Sequence, residues 1–262
     1  MQYCQYKTIE FSRAGGVLTM RLNRPEAMNA VDEVMHEELS RVFADIASDR
    51  SVHAIVLTGE GRGFCAGGDI NWIRNITPGQ VDALFREARK IIIDMLELPQ
   101  PIIAAVNGPA AGLGATLALF CDMVYAAEGA RISDPHVRVG VAAGDGGAVI
   151  WPLLVGPVRA KQYLMTGDSL TATEAERIGL INKVLPQQEL LEACQDVAAR
   201  LATGPRLAIT ATKVSVNKIL RDTANLVLDT SLALEKECFF SDDHKEAVQA
   251  FVERRPPEFR GR

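Results

Sequence analysis

Two glycine-rich segments constrain this chain more than any other feature: GEGRGFCAGGDI at residues 59–70 and NGPAAGLGATLAL at residues 107–119. Each follows a short uninterrupted apolar run, AIVL at 54–57 and IIAAV at 102–106, and the second leads into a helical pattern. Apolar runs of that length, bounded by glycines, read as strands buried on both faces, as in a parallel sheet. A strand, a glycine-bearing loop and a helix in that order turn backbone N–H groups outward, and the dipole of the following helix favours negative charge there. Two such loops from adjacent strands place two donors on one oxygen. Donors preorganised around a developing oxyanion are worth about 3 kcal/mol each in a transition state.

The remaining pattern builds an α/β chain around these loops. Residues 8–11 and 17–22 read as strands joined by an Ala14-Gly15-Gly16 turn. Helices are predicted over 31–46 and over 81–98, the latter stopped by Pro99, and another buried strand over 123–126. Alternating helix, apolar strand and loop indicate parallel strands with crossover connections. After Pro186 the pattern turns helical, with helices expected over 187–202, 207–220, 226–238 and 243–254. The expected division is an α/β core carrying the binding and catalytic site over residues 1–200, and a helical region over 201–262 that packs on the core or on a neighbouring subunit.

Several function classes fall away on bulk properties. A net charge of -5 over 262 residues argues against nucleic acid as the main partner, because phosphate binding needs a positive field. No apolar run approaches the roughly 18 residues of a membrane span, and MQYCQYKTIE lacks the basic-then-apolar form of a secretion signal. A cytoplasmic location follows as the expectation. The five cysteines are scattered without a CxxC pair, so free thiols and no metal site are expected. GLGATL at 112–117 lacks the third glycine of a dinucleotide fingerprint, and neither a GKS/T loop nor a GxSxG elbow occurs.

Five ordered motifs then carry a resemblance along nearly the whole chain: LNRPEAMNAV (22–31), GRGFCAGGDI (61–70), AAVNGPAAGLGATLALFCD (104–122), MTGDSLTATEAERIGLINKV (165–184) and AFVERRPPEFRGR (250–262). Together they resemble the crotonase superfamily, also called the enoyl-CoA hydratase/isomerase family. The resemblance implies a right-handed spiral of ββα units with a C-terminal helical trimerisation region, assembled as a homotrimer or a dimer of trimers. It implies an acyl-CoA substrate, with coenzyme A entering as part of that substrate and no separate cofactor. The backbone N–H groups of Gly68 and Leu113 would form the oxyanion hole. Coenzyme A would lie along Arg24 and Pro25, with its adenine near Ala66, Asp69 and Ile70, and with Phe251 and Arg254 of the last helix contributing, often across a subunit boundary.

The two glutamates that family hydratases use to handle water are absent. Their positions hold Thr116, which is counted with the substrate-contacting residues, and His136. A threonine hydroxyl is no general base near neutral pH, so two-carboxylate hydration is not expected here. A substitute lies in ISDPHVRVGVAAGDGGAVIWP (132–152), where Asp145 follows His136 by nine residues. Histidine is a natural base, and an aspartate beside it fixes its tautomer and stabilises the imidazolium. The same segment resembles the 6-oxocamphor hydrolase branch of the superfamily, whose members cleave a C–C bond of a β-diketone. In that branch a late-helix glutamate would match Glu237, although Leu113 stands where the branch carries histidine.

The expected activity is therefore a hydratase-like lyase acting through an oxyanion-stabilised enolate, with His136 and Asp145 in place of the glutamates. C–C hydrolysis of a β-dicarbonyl and a catalytically weak acyl-CoA-binding protein stand as the alternatives. Cys65 reads as a packed residue, Asp134 as a turn cap, and Trp72 and Phe85 as core. His36, His53 and His244 read as structural or solvated.

Overall fold

β1 (Ile9–Ala14) and β2 (Val17–Leu22) form an antiparallel hairpin whose turn places Gly15 at φ 58°. The computed structural model describes residues 3–262. From β2 the chain passes through α1 (Glu33–Ser48) to β3 (Ala54–Gly59), which pairs parallel to β2. Asp32 caps α1, its side chain accepting from Met35 N at 2.9 Å. Met35, Leu39, Val42, Phe43 and Ile46 form the buried stripe of α1. α2 (Ile70–Asn75) and α3 (Pro78–Glu97) then lead to β4 (Ile102–Val106), parallel to β3. β5 (Ala110–Ala111), α4 (Leu113–Leu119), β6 (Met123–Ala127) and β7 (Arg131–Ser133) follow. The next elements are α5 (Gly147–Thr166), β8 (Leu170–Thr171), α6 (Ala172–Arg177), β9 (Lys183–Leu185) and α7 (Leu190–Thr203).

The main sheet has the order β1-β2-β3-β4-β6-β9 and is parallel except at β1. Every residue of β3 and β4 is buried, because α7 packs on β2, β3, β4 and β6. This explains their continuous apolar sequences. A second small sheet, β5-β7-β8, carries the chain away from the main sheet just before the His136 segment. Its strands have two or three residues, too few to produce a period in the sequence.

Two expectations about helices need correction. The helices expected over 207–220 and 226–238 are one, α8 (Arg206–Phe239). The stretch Arg221–Asn225 is polar, but it contains no glycine or proline and it stays helical, with Thr223 Oγ1 donating to Ile219 O at 3.0 Å. Its polar residues are exposed or half-buried while Ala224 turns inward, the pattern of a continuous surface helix rather than of a break. α5 went unpredicted because Pro152, Gly156 and Pro157 lie within it; the helix kinks at Gly156, where φ is 77°. α9 (Asp242–Glu253) closes the fold, capped by Ser241. Lys213 ties α8 to the core, its Nζ donating to Gln100 O at 2.9 Å and to Asp122 Oδ2 at 2.8 Å.

The two glycine-rich loops are hydrogen-bonded to each other. Phe64 N and Cys65 N donate to Pro109 O, each at 3.1 Å, and Ala111 N donates to Cys65 O at 2.9 Å. A side chain would not fit between them, since a Cβ on Gly114 would sit 2.2 Å from Cys65 O. Gly114→Ala is expected to lower unfolding free energy by about 2 kcal/mol, the usual cost of overpacking. Gly79→Ala, at a helical site with nothing within 4 Å, is expected to be neutral or stabilising. Urea denaturation midpoints of the two variants check the contrast.

Candidate functional site

The loops open onto a cavity of about 620 Å³ whose wall includes Ala66, Gly68, Leu113, His136, Asp145 and Glu235. Leu113 is the first residue of α4, so its amide has no intrahelical acceptor. Around Gly68 the neighbouring groups are engaged: Val31 N donates to Gly67 O at 2.7 Å and Asp69 N to Val31 O at 2.9 Å. Among the described residues, neither the Gly68 N–H nor the Leu113 N–H donates to another group. Gly112, at φ 51°, makes the turn into α4 and lies against His136; a Cβ there would be 3.4 Å from His136 Cε1. The amides and the imidazole therefore border one space.

His136 begins a short 3-10 turn after β7 and is held from both sides. Its Nδ1 meets Asp134 Oδ1 at 2.5 Å, and its Nε2 lies 3.4 Å from Asp145 Oδ2 and 3.9 Å from Glu235 Oε1. Asp134 follows β7 directly, Asp145 sits in the glycine turn that starts α5, and Glu235 projects from α8. Burial by itself would lower the His136 pKa, but the carboxylates of Asp134 and Asp145 outweigh it and raise it well above the usual imidazole value. Burial pushes the Glu235 carboxyl well above the ordinary range; His136 offsets part of this, and Asp145 and Asp134 add to it. These shifts favour the imidazolium form of His136 and the protonated form of Glu235.

Several expected residues change place. Asp145 does not fix the His136 tautomer; Asp134, read from sequence as a cap, binds Nδ1, while Asp145 faces Nε2. Glu237 is exposed and lies outside this cavity, and Glu235 takes the place assigned to it. Two residues along a helix amount to a turn of about 200°, which puts Glu237 on the far side of α8. Thr116 does not line the cavity: it is fully buried behind Asp145, and its Oγ1 donates to Asp145 Oδ1 at 3.3 Å. Arg254 is the exposed, left-handed C-cap of α9 and does not line the cavity; Arg255 does, but it is paired with Glu246 and Glu253.

Of the other expected binding residues, Arg24 and Pro25 are not on the cavity wall. Ala66, Asp69, Ile70 and Phe251 line the cavity. Arg24 pairs with Asp69 and Asp32, each at 3.2 Å, and Pro25 opens the short 3-10 turn beside it. Trp72 and Phe85, read from sequence as core, also line the cavity. Cys65 is buried, and burial pushes its thiol up to about 12, which leaves it protonated and unreactive.

Sequence reasoning missed His36 and His244, which are buried residues of the same wall. A signal for His36 existed: it shares a three-to-four-residue spacing with Leu39, Phe43 and Ile46 on the buried stripe of α1. The electrostatics of the cluster predict that His136 retains its proton at pH values where a free imidazole, with pKa ~6.5, has lost it. Asp134→Asn removes the larger of the two carboxylate attractions and should move the His136 titration downward in pH. Proton NMR of the imidazole ring across a pH series checks both outcomes.

A model of the family described as enoyl-CoA hydratase/isomerase matches residues 12–262. The chain is 35% identical to 1,2-epoxyphenylacetyl-CoA isomerase of Escherichia coli (strain K12), over 94% of this chain and 96% of that protein. An enoyl-CoA hydratase/isomerase from Mycobacterium paratuberculosis superposes with a TM-score of 0.90 at 34% identity, covering 92% of this chain and 97% of the other. A β-diketone hydrolase from the cyanobacterium Anabaena sp. PCC 7120 superposes with a TM-score of 0.84 at 30% identity, covering 90% and 96% of the two chains. With its α/β crotonase-like core, its C-terminal helices and a family match over all but the first eleven residues, the chain belongs to the enoyl-CoA hydratase/isomerase family of enzymes.

Proposed function

We propose that this enzyme adds water to the double bond of an acyl-CoA thioester by way of an enolate held on the N–H groups of Gly68 and Leu113. The observation that carries this reading is the pair of unengaged amides, from two separate loops, bordering the same cavity as His136. Hydration needs one proton removed from water and one delivered to the α carbon. Asp145 is the carboxylate that takes the first, and Glu235 is the neutral acid that gives the second. His136 stands between them, 3.4 Å and 3.9 Å away through Nε2, and carries the proton back after each turnover. Asp134 holds the ring in place through Nδ1. In this arrangement Asp145 and Glu235 do the work of the family's two glutamates, and His136 returns the proton between them.

The coenzyme A portion of the substrate is assigned to Arg24, Pro25, Ala66, Asp69, Ile70 and Phe251. Arg254, which does not line the cavity of its own chain, is assigned to a neighbouring subunit. A homotrimer or dimer of trimers accords with the exposed Leu207, Val216, Ile219 and Leu226 along α8, apolar side chains for which a subunit interface provides cover. Among the described residues no helix is long and apolar enough to cross a membrane. Analytical ultracentrifugation is expected to give the mass of three or six chains; a monomer at micromolar concentration would contradict the assignment.

A second reading is favoured by one specific finding, the likeness to the Anabaena β-diketone hydrolase. There the activated water would attack a ring carbonyl, and the same two amides would receive the departing enolate. Incubation with a 2-enoyl-CoA and with a cyclic β-diketone, followed by mass spectrometry, separates the readings. Gain of one water with all C–C bonds of the thioester intact is the expected result, and an acid formed by C–C cleavage of the diketone supports the second reading. His136→Ala is expected to lower kcat by about 10²–10⁴-fold, the usual weight of a general acid–base group. Robust turnover that survives this change would remove His136 from the mechanism, and binding without turnover in the unaltered enzyme would leave only an acyl-CoA-binding protein.

A further inference from the structure

Three of the molecule's four histidines, His36, His136 and His244, line the same cavity. Only His136 has a part in the chemistry above. His36 lies on α1 and is 2% exposed, and its Nδ1 is 2.7 Å from Glu87 Oε2 on α3. A carboxylate only accepts, so Nδ1 carries the hydrogen and the remaining ring nitrogen is the one left for other use. That nitrogen, Nε2, has no partner among the described residues. The indole of Trp72, from α2, packs beside the ring with centroids 5.5 Å apart. Trp72 Nε1 is itself buried without a hydrogen-bond partner. Two helices thus bring to the wall of one cavity a histidine and a tryptophan, each with an unpartnered ring nitrogen, and a third supplies Glu87.

Apolar residues of the same wall include Val31, Ile73, Leu84 and Ala88. A purely alkyl acyl chain would bury both polar groups without partners, which is costly. An oxygen on the acyl chain satisfies them. A hydroxyl accepts from Trp72 Nε1–H and donates to His36 Nε2; a keto oxygen accepts from Trp72 Nε1–H.

We propose that His36 and Trp72, with Glu87 as the residue that positions His36, form a subsite that selects acyl groups carrying a second oxygen, hydroxyl or keto, in addition to the thioester. The inference rests on the acyl-CoA reading above and specifies which acyl groups it concerns. Isothermal titration calorimetry tests it with hexanoyl-CoA and with its singly hydroxylated and singly keto-substituted analogues, the oxygen placed at successive chain positions. At least one oxygenated analogue should bind about tenfold tighter than hexanoyl-CoA, the weight of a net hydrogen bond. His36→Leu and the milder Trp72→Phe should each bring that ratio close to one. The subsite is overturned if no analogue outbinds hexanoyl-CoA, or if the preference persists in both variants. Failure of hexanoyl-CoA and of every analogue to bind the unaltered enzyme would instead overturn the acyl-CoA reading, and the subsite with it.

Discussion

The contact between the two glycine-rich loops determines the geometry of everything else in the site. It consists of main chain against main chain: Cys65 O receives Ala111 N, Pro109 O receives Phe64 N and Cys65 N, and Gly67 and Gly114 leave room for the opposing carbonyls. Because no side chain separates the loops, the Gly68 and Leu113 amides have little freedom to turn away from the cavity. Holding two N–H groups unpaired costs free energy. The ladder of bonds beside them and the buried strands β3 and β4 behind them offset that cost. His136 depends on the same contact, since its ring packs against Gly112, where even a methyl group would be close.

Around that fixed backbone the side-chain cluster is governed by electrostatics. Three acids, Asp134, Asp145 and Glu235, surround one imidazole, all with little exposed surface. All three cannot ionise together beside a single positive charge at an acceptable cost. Glu235 is the one whose carboxyl burial pushes well above the ordinary range. Asp134 and Asp145 come from neighbouring turns on either side of the 3-10 segment, whereas Glu235 arrives from a helix far along the chain. The balance of charge therefore couples the α/β core to the helical C-terminal region.

Much of this was legible in the sequence, and the failures have identifiable causes. The strands at 17–22 and 102–106 lie where their patterns placed them, because burial on one or both faces leaves a periodic trace. The two loops and His136 were legible because glycine clusters and a lone histidine stand out by residue type. Glu235 was mistaken for Glu237 because a long helix gives no phase reference until its neighbours are known. The role of Asp134 was hidden behind its proline, since a turn cap and a histidine partner leave the same residue in the same place. α5 was obscured by its own prolines and kink. His36 was marked by its spacing within an otherwise apolar stripe.

α8 has two faces with different duties. One delivers Glu235 to the pocket, and Ser231 Oγ donates to Gly144 O at 2.8 Å beside it. The other carries exposed apolar side chains. A rod tied at both faces transmits displacement from one to the other, so a partner seated on the outer face would set how deeply the acid at its inner face is desolvated. In such a design, proton affinity in the pocket becomes a readout of quaternary packing, and a substitution on the outside of the molecule could retune the chemistry without approaching the substrate.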